Sequence, residues 1–309
     1  TGAATLAALA LSPTYGFLLG AALATGIANG WGNPATNALI VDNVPLGSRG
    51  IVTGVKQSGV QIGTFLGGLL LPIFTAWWDW RVAVLVFLAM PLGGFIGLVG
   101  VKGSHHEQVR VEWSSERLPG SVWWIAVYGF ISGLATQALI AWIPLFAEED
   151  QLWSGPAAGS LIAVVGFAGI ASRIAWSRAS ERFIGHGRTL RILGLMTTVT
   201  ALLLAFAAMD VLPSWVLVPA ALFLGGGAVA WNAVGMLAVM EFSPEGMVGK
   251  GTGLVLFGFL LGLAVGPPLM GLSVDIWGTY VPGWFATAFL LALSAVIAFK
   301  IPSGSTIDR

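Results

Sequence analysis

The sequence predicts an all-α polytopic membrane protein, and three observations lead to that prediction. Hydrophobic residues make up 56% of the chain and charged residues 9%, and the mean hydropathy of +0.87 is far above that of soluble domains. Apolar runs of about 20 residues, the length that crosses a bilayer, recur along the chain. Because the runs are continuously apolar rather than alternating at period two, they predict helices and not the strands of a barrel.

Apolar runs separated by short polar connections define the predicted elements in chain order. The opening TGAATLAALAL is too short to cross a bilayer, so it predicts the end of an earlier helix. Prolines inside the later runs, such as Pro72 and Pro267, are compatible with membrane helices because neighbouring helices satisfy the freed carbonyl groups. The complete spans are predicted near 15–41, 50–76, 81–101, 121–147, 156–176, 189–209, 212–240, 251–275 and 281–300.

Basic residues predict the orientation. Of the 14 Lys and Arg residues, twelve, including Arg173, are assigned to connections on one side of the predicted bilayer, whereas Arg81 falls on the other side and Lys56 lies inside a span. Because connections rich in Lys and Arg stay cytoplasmic, the 102–120 linker, the 178–188 loop and the C-terminus are expected in the cytoplasm. The sequence therefore predicts a multi-pass protein of the cytoplasmic membrane.

Composition also argues against several classes of function. The chain has no cysteine and three histidines, and all three histidines lie in polar stretches, so no thiolate metal site or histidine cluster is expected. A formal net charge of zero gives no basic field that would attract nucleic acid. A membrane enzyme would need clustered His, Asp or Cys inside the spans, and none is visible. We therefore expect no enzymatic activity, no cofactor and no metal, and a lipid bilayer as the surroundings.

The chain repeats itself at an offset of 199 residues. Between residues 17 and 78, sixteen of 62 positions are identical to those 199 residues further on, whereas this composition gives roughly five by chance. Asn33 matches Asn232, and several glycines match glycines. Because the offset preserves orientation, it indicates two parallel six-helix halves related by an axis along the membrane normal.

The repeat also predicts the domain organisation. Residues 1–101 are expected to form the N-terminal half, 102–120 the linker, and 121–309 the C-terminal half with six spans. Subtracting the offset places the start of the first half roughly eighty residues before Thr1. We therefore expect about the first two and a half helices to be missing.

These features resemble the major facilitator superfamily, and the resemblance covers nearly the whole chain. It rests on the six-helix halves, the linker, WDWR (78–81) at the start of the sixth helix, and IPLFAEEDQLWSGPAAGSLIA between the seventh and eighth. SRIAWSRASERF (172–183) is similar to a degenerate copy of the family's loop motif, with Ser177 in place of a glycine and Glu181 in place of an aspartate. The resemblance implies a secondary transporter that moves a small-molecule substrate by alternating access around a midplane site.

Lys56 is the first candidate site residue. It lies one to two turns inside an apolar span, with Gln57 and Gln61 beside it. The ammonium group either snorkels to the membrane surface or faces a polar cavity. At 100° per residue these polar side chains share a broad face with the glycines of the same helix, and their counterparts in the other half are apolar. We therefore favour the cavity, where a cation favours an anionic or carboxylate-bearing solute.

Three asparagines on the preceding helix form a second candidate group. Asn29, Asn33 and Asn37 recur every fourth residue and so share one face. Unpaired amides are costly in hydrocarbon, so this face must meet protein or water. Hydrogen bonding between helices explains Asn33 and its counterpart Asn232 equally well. In the family the fourth helix lines the central cavity, so the resemblance implies that Asn29 and Asn37 contact the solute.

The predicted seventh helix supplies the remaining candidates. Gln137 is expected to be its most buried polar residue, and Tyr128, Ser132, Thr136 and Trp142 lie on the same helix. Solute contact and packing explain these side chains equally well. The two glycine series with a spacing of four residues predict close helix packing. They are Gly59, Gly63 and Gly67, and Gly258, Gly262 and Gly266.

Transport of a small anionic or polar organic solute is the function that the sequence predicts. One alternative is a multidrug-type exporter of apolar compounds with a cavity lined by tryptophans, and another is a transporter-like sensor that moves nothing. None of the 14 acidic residues lies in the middle of a span, and Asp42 and Glu241 at helix ends are expected to pair with loop arginines or to cap helices. Whether protons are coupled therefore stays open, since such coupling usually needs an intramembrane acid or histidine.

Overall fold

The structure is a computed structural model that describes residues 2–30, 32–98 and 117–304. It is all-helical over these residues, and seven of its helical stretches are long and apolar enough to cross a membrane. The chain is therefore a multi-pass membrane protein, which confirms the predicted fold class. The α-helices are α1 Gly2–Ala10, α2 Tyr15–Gly30, α3 Gly32–Asn43, α4 Arg49–Trp77, α5 Trp80–Val86, α6 Ala89–Leu98, α7 Gly120–Glu149, α8 Gly155–Ala179, α9 His186–Ala208, α10 Leu217–Phe223, α11 Trp231–Phe242, α12 Val248–Trp277 and α13 Val281–Ile297.

Two predicted spans are less regular than expected. The span predicted at 81–101 is divided into α5 and α6, because Pro91 has no N–H for the carbonyl of Phe87 and the helix breaks at Phe87 and Leu88. The span predicted at 212–240 corresponds to the stretch Ser214–Phe242, which contains a π-helical turn at Leu224–Ala228. Such turns widen a helix locally and are frequent at functional sites.

The helix boundaries follow the sequence repeat. Helix α3 ends at Asn43 and α11 at Phe242, and α4 begins at Arg49 and α12 at Val248, so both pairs of boundaries differ by 199 residues. The connections between them repeat as well, since Gly47 and Gly246 adopt φ values of +87° and +75°, which favour glycine. The two segments therefore have the same local structure.

The chain divides into two compact units. The first comprises Thr1–Thr36 and Leu70–Glu116, and the second comprises Asn37–Leu69 and Arg117–Arg309. In the first unit α1 packs on α2 and α5, and Arg81 Nη2 donates a hydrogen bond to the carbonyl of Ser12 at 3.3 Å. The division into halves at the 102–120 linker stays a prediction.

The core of the second unit is built from α7 to α13. Trp231 and Trp284 are its largest fully buried side chains, and they belong to two separate apolar clusters. Helices α7 and α12 make the most extensive helix contact, because Gly262 lies against the backbone of α7. The predicted packing of the second glycine series is thus confirmed, whereas at Gly59 and Gly63 no atom lies within 4 Å of an added Cβ atom.

Candidate functional site

A polar cluster around the fully buried Asn37 joins four helices of the second unit. Lys56 Nζ on α4 donates a hydrogen bond to Asn37 Oδ1 on α3 at 2.6 Å. The amide nitrogen of Asn37 in turn contacts Thr252 Oγ1 on α12 at 3.2 Å and Met236 Sδ on α11 at 3.3 Å. We call Lys56, Asn37, Met236 and Thr252 the Lys56 cluster. Its ammonium group therefore lies among protein side chains rather than extending freely along the helix surface.

Helix positions explain why these side chains meet. Asn37 is fully buried and lies one and a half turns before the end of α3, whereas Lys56 and Thr252 lie within the first two turns of α4 and α12. A buried amide must have both its oxygen and its nitrogen hydrogen-bonded to avoid a large desolvation cost. Asn37 meets that condition with Lys56 as donor and Thr252 as acceptor. An apolar residue at position 37 would leave the ammonium group without this acceptor.

Gln57 and Gln61 lie on a different side of α4 from Lys56. The backbone carbonyl of Gln57 accepts a hydrogen bond from Arg173 Nη1 on α8, and Gln61 packs against Gly169 of α8. Both glutamine side chains are nine-tenths buried or more. The predicted polar face is broad, and its residues therefore meet two different neighbouring helices.

The other candidate residues have separate outcomes. Asn33 is partly buried, and Asn232 is 7% exposed with no hydrogen-bond partner for its Oδ1 among the described residues. The side chain of Asn29 lies outside the described residues. Gln137 is only partly buried, so its prediction as the most buried polar residue of the seventh helix is wrong.

Three hydroxyl residues of α7 are the more buried ones. Tyr128, Ser132 and Thr136 are each at most 3% exposed and line a small internal pocket with Thr197 of α9. They recur every fourth residue and so face the same neighbouring helices, whereas Gln137 is turned about 100° away from Thr136. Length and hydropathy alone do not reveal which face of an almost wholly apolar helix is buried.

Arg173 is a functional candidate that the sequence analysis missed. It was assigned to a connection, but it lies inside α8 and is 6% exposed. Its Nε donates a hydrogen bond to the carbonyl of Val229 at 2.8 Å, and its Nη1 donates to that of Gln57. Its position in the sequence could have identified it, because Arg173 lies inside the predicted 156–176 span, three residues before the end of that span.

Histidine 186 was also missed. It begins α9, is 3% exposed, and its Nε2 lies 2.7 Å from Glu241 Oε2, while its Nδ1 lies 2.5 Å from Ser180 Oγ. Glu241 was expected to pair with a loop arginine or to cap a helix, and the structure places its carboxylate against this imidazole. The backbone N–H groups of His186 and Gly187 donate to the carbonyls of Ser303 and Pro302 at 2.6 and 3.2 Å. The last described residues are thereby held at the start of α9.

The π-helical turn Ser180–Ile184, which follows α8, contacts the start of α4. Glu181 Oε1 and Oε2 accept hydrogen bonds from the N–H groups of Gly47 at 3.1 Å and Gly50 at 2.9 Å, and Arg182 donates two hydrogen bonds to the carbonyl of Gly47. A carboxylate is favourable at a helix N-terminus because it satisfies free N–H groups and meets the positive end of the helix dipole. The Glu181 contact therefore ties this turn to α4.

Replacing Glu181 with glutamine is expected to lower the free energy of unfolding by about 1 kcal/mol, because the charge at the helix N-terminus is lost while one acceptor oxygen remains. Thermal unfolding of the purified intact protein would measure the change. Glu245→Gln is the matched control, since Glu245 is exposed. Equal loss of stability in both variants would contradict a specific contribution of the Glu181 contact.

Acidic residues gather at the C-terminal ends of α7 and α9. The hydroxyl group of Tyr280 donates a hydrogen bond to Glu149 Oε2 at 3.0 Å, and burial raises the pKa of Tyr280, with further contributions from Glu149. Burial also raises the pKa of Asp150, and the charge of Asp210 adds to this effect. This end therefore contains a carboxyl group that takes up a proton more readily than an ordinary aspartate does.

The family is shown by a match to a family model. Residues 1–257 and 153–306 match the model described as Major Facilitator Superfamily. The Arabidopsis thaliana protein named Probable anion transporter 5 is 26% identical over 160 residues, which are 43% of this chain and 36% of that protein. The chain thus spans about a third of the length of the curated relative that it matches.

Solved structures of transporters have the same fold. The E. coli fucose:proton symporter FucP superposes with a TM-score of 0.71 at 14% identity, covering 98% of this chain and 81% of FucP. The human organic anion transporter MFSD10 (TETRAN) superposes with a TM-score of 0.69 at 16% identity, covering 96% of this chain and 74% of that protein. Helix order, the sequence repeat and these matches agree, and the chain belongs to the Major Facilitator Superfamily.

Proposed function

We propose that this chain belongs to a secondary active transporter that moves a small anionic organic solute across the cytoplasmic membrane by alternating access, with its linker and C-terminus in the cytoplasm. The observation that carries the proposal is the Lys56 cluster, in which an ammonium group and a fully buried amide meet inside apolar helices. Charged side chains inside membrane segments are costly and mark solute or ion pathways.

Contact between equivalent residues supports the position of this site. Asn37 and Met236 are 199 residues apart, which is the offset of the sequence repeat, and they touch. Equivalent residues of two units related by a two-fold axis touch only where they lie beside that axis. A solute site near this axis would be accessible from both sides in turn as the two halves rock.

Charge and similarity both favour an anion. Lys56 would attract the anionic group, and Asn37, Gln57 and Gln61 would orient the rest of the solute, with Asn29, Asn33, Gln137 and Asn232 as further candidates. A relative named as an anion transporter and a solved organic anion transporter of the same fold support this class of solute. An exporter of apolar drugs is less well supported, because Trp231 is 1% exposed and Trp142 donates its indole N–H to the carbonyl of Pro267.

Replacing Lys56 with methionine tests the proposal. A charge-assisted hydrogen bond contributes about 1.5–3 kcal/mol, so we expect the KM for anionic solutes to rise by roughly 10- to 100-fold. Uptake of a panel of organic anions into proteoliposomes that contain the intact protein would measure this. Lys300→Met is the matched control, since Lys300 is exposed at the end of the last helix. Undiminished anion uptake by Lys56→Met would remove Lys56 from the site.

A further inference from the structure

The guanidinium group of Arg173 is buried, and none of its contacts requires a positive charge. Its guanidinium is held by the carbonyls of Val229 and Gln57, and no acidic side chain among the described residues pairs with it. A guanidinium has five N–H donors, and its second terminal nitrogen, Nη2, has no partner in the described part of the chain. The contacts therefore leave part of its hydrogen-bonding capacity unused.

A bridge between two carbonyl groups requires donors but not a charge. A neutral amide could supply such donors without the desolvation cost of burying a cation. Arginine is instead the side chain best suited to carboxylates and phosphates, because its planar fork offers parallel hydrogen bonds. The buried positive charge of Arg173 thus favours an anionic partner.

Two buried amide oxygens, on the segments whose carbonyls hold Arg173, also lack partners. Gln61 Oε1 and Asn232 Oδ1 are both buried, and neither accepts a hydrogen bond from any described residue. Gln61 packs against Gly169, which lies one turn before Arg173 on α8. The carbonyl of Val229 accepts a hydrogen bond from Arg173, and Asn232 lies three residues after Val229. An unsatisfied amide oxygen is costly in an apolar interior, and a ligand hydroxyl group would satisfy it.

We propose that Arg173, Gln61 and Asn232 form a subsite for a hydroxylated carboxylate, such as a sugar acid or another hydroxy acid. Arg173 Nη2 donates to the solute carboxylate, and solute hydroxyl groups donate to the oxygens of Gln61 and Asn232. Lys56 supplies longer-range attraction for the anion. This inference rests on the proposed function and names the class of solute within it.

The inference predicts how the protein discriminates among three probes of equal chain length. Gluconate carries a carboxylate and hydroxyl groups, hexanoate carries only the carboxylate, and sorbitol carries only the hydroxyl groups. Titration calorimetry on the purified intact protein should show gluconate binding at least about tenfold more tightly than either of the others, because it alone satisfies both parts of the subsite.

Arg173→Gln is expected to weaken gluconate binding by about 10- to 100-fold and to leave sorbitol binding unchanged. Arg178→Gln is the matched control, since Arg178 lies on the same helix and is exposed. If Arg173→Gln does not fold, Arg173→Lys keeps a cation without the planar fork and should weaken gluconate binding by about tenfold. Unchanged gluconate binding in the folded Arg173 variant would overturn the subsite.

The amide side of the subsite is tested separately. Gln61→Leu should weaken gluconate binding towards that of hexanoate while leaving hexanoate binding unchanged, which a general loss of folding would not do. Equal weakening of both would overturn the assignment of Gln61. If anion uptake depends on Lys56 but gluconate is not preferred and Arg173 variants bind normally, only the subsite fails. If the wild-type protein transports no anion, the proposed function fails, and the subsite fails with it.

Discussion

A Gly262→Val protein is expected to lose about 3 kcal/mol of its free energy of unfolding. A Cβ atom at this position would clash with the carbonyl oxygen of Phe130 and would lie 2.7 Å from the backbone nitrogen of Leu134. These are backbone atoms of α7, so no side-chain rotation relieves the clash, and α7 and α12 would have to separate. Because these two helices make the most extensive helix contact among the described residues, the whole second unit should be destabilised.

Thermal unfolding followed by size-exclusion chromatography of the purified intact protein would measure this loss. Gly120→Val is the control, because no atom lies within 4 Å of a Cβ atom at the first residue of α7. We expect Gly120→Val to keep the wild-type unfolding temperature. A Gly262→Val protein as stable as this control would show that α7 and α12 do not approach closely at residue 262.

Gly54→Leu is expected to abolish most transport while the protein stays folded. A Cβ atom at Gly54 would lie 2.8 Å from the Cα atom of Ile174 and 3.0 Å from the carbonyl oxygen of Arg173. Leucine would therefore force α4 away from α8. If this contact forms in one of two alternating states, the variant shifts the population to the other state, and a transporter trapped in one state does not turn over.

The absence of cysteine from the chain allows a direct measurement of that shift. Thr53 is fully buried, so a Thr53→Cys protein should react slowly with a hydrophilic maleimide, and adding Gly54→Leu should raise the rate by about tenfold or more. Val55→Leu is the matched control, because Val55 is 56% exposed on the same helix. Equal labelling rates in the two double variants would contradict a closed contact at Gly54.

Much of the fold was predictable because bilayer thickness and repetition constrain it. Length and continuous apolarity identified the long helices, and the 199-residue offset matched the ends of α3 and α11 and the starts of α4 and α12. The break between α5 and α6 was missed, although Pro91 marks it, because prolines were treated as tolerated throughout the spans. A proline breaks a membrane helix only where no neighbouring group forms a hydrogen bond with the carbonyl that the missing N–H leaves free.

The candidate site was predictable only in part. Lys56 and Asn37 were both chosen, because a charge and an amide stand out in apolar helices, but their mutual contact depends on tertiary packing. Thr252 was overlooked because a threonine is unremarkable in a membrane helix. Arg173 was assigned to a connection because the positive-inside pattern favours placing every arginine there. Sequence periodicity identifies a polar face but not the neighbouring helix that it meets.

The contact between Asn37 and Met236 has an evolutionary consequence. If the two repeats descend from one duplicated gene, both positions were once a single codon, and in a homodimeric ancestor that side chain met its own copy across the axis. Any mutation there altered both sides of the contact at once. Duplication and fusion would have released that restriction, so that an amide now faces a thioether sulfur, and one repeat could acquire a charge while the other stayed apolar.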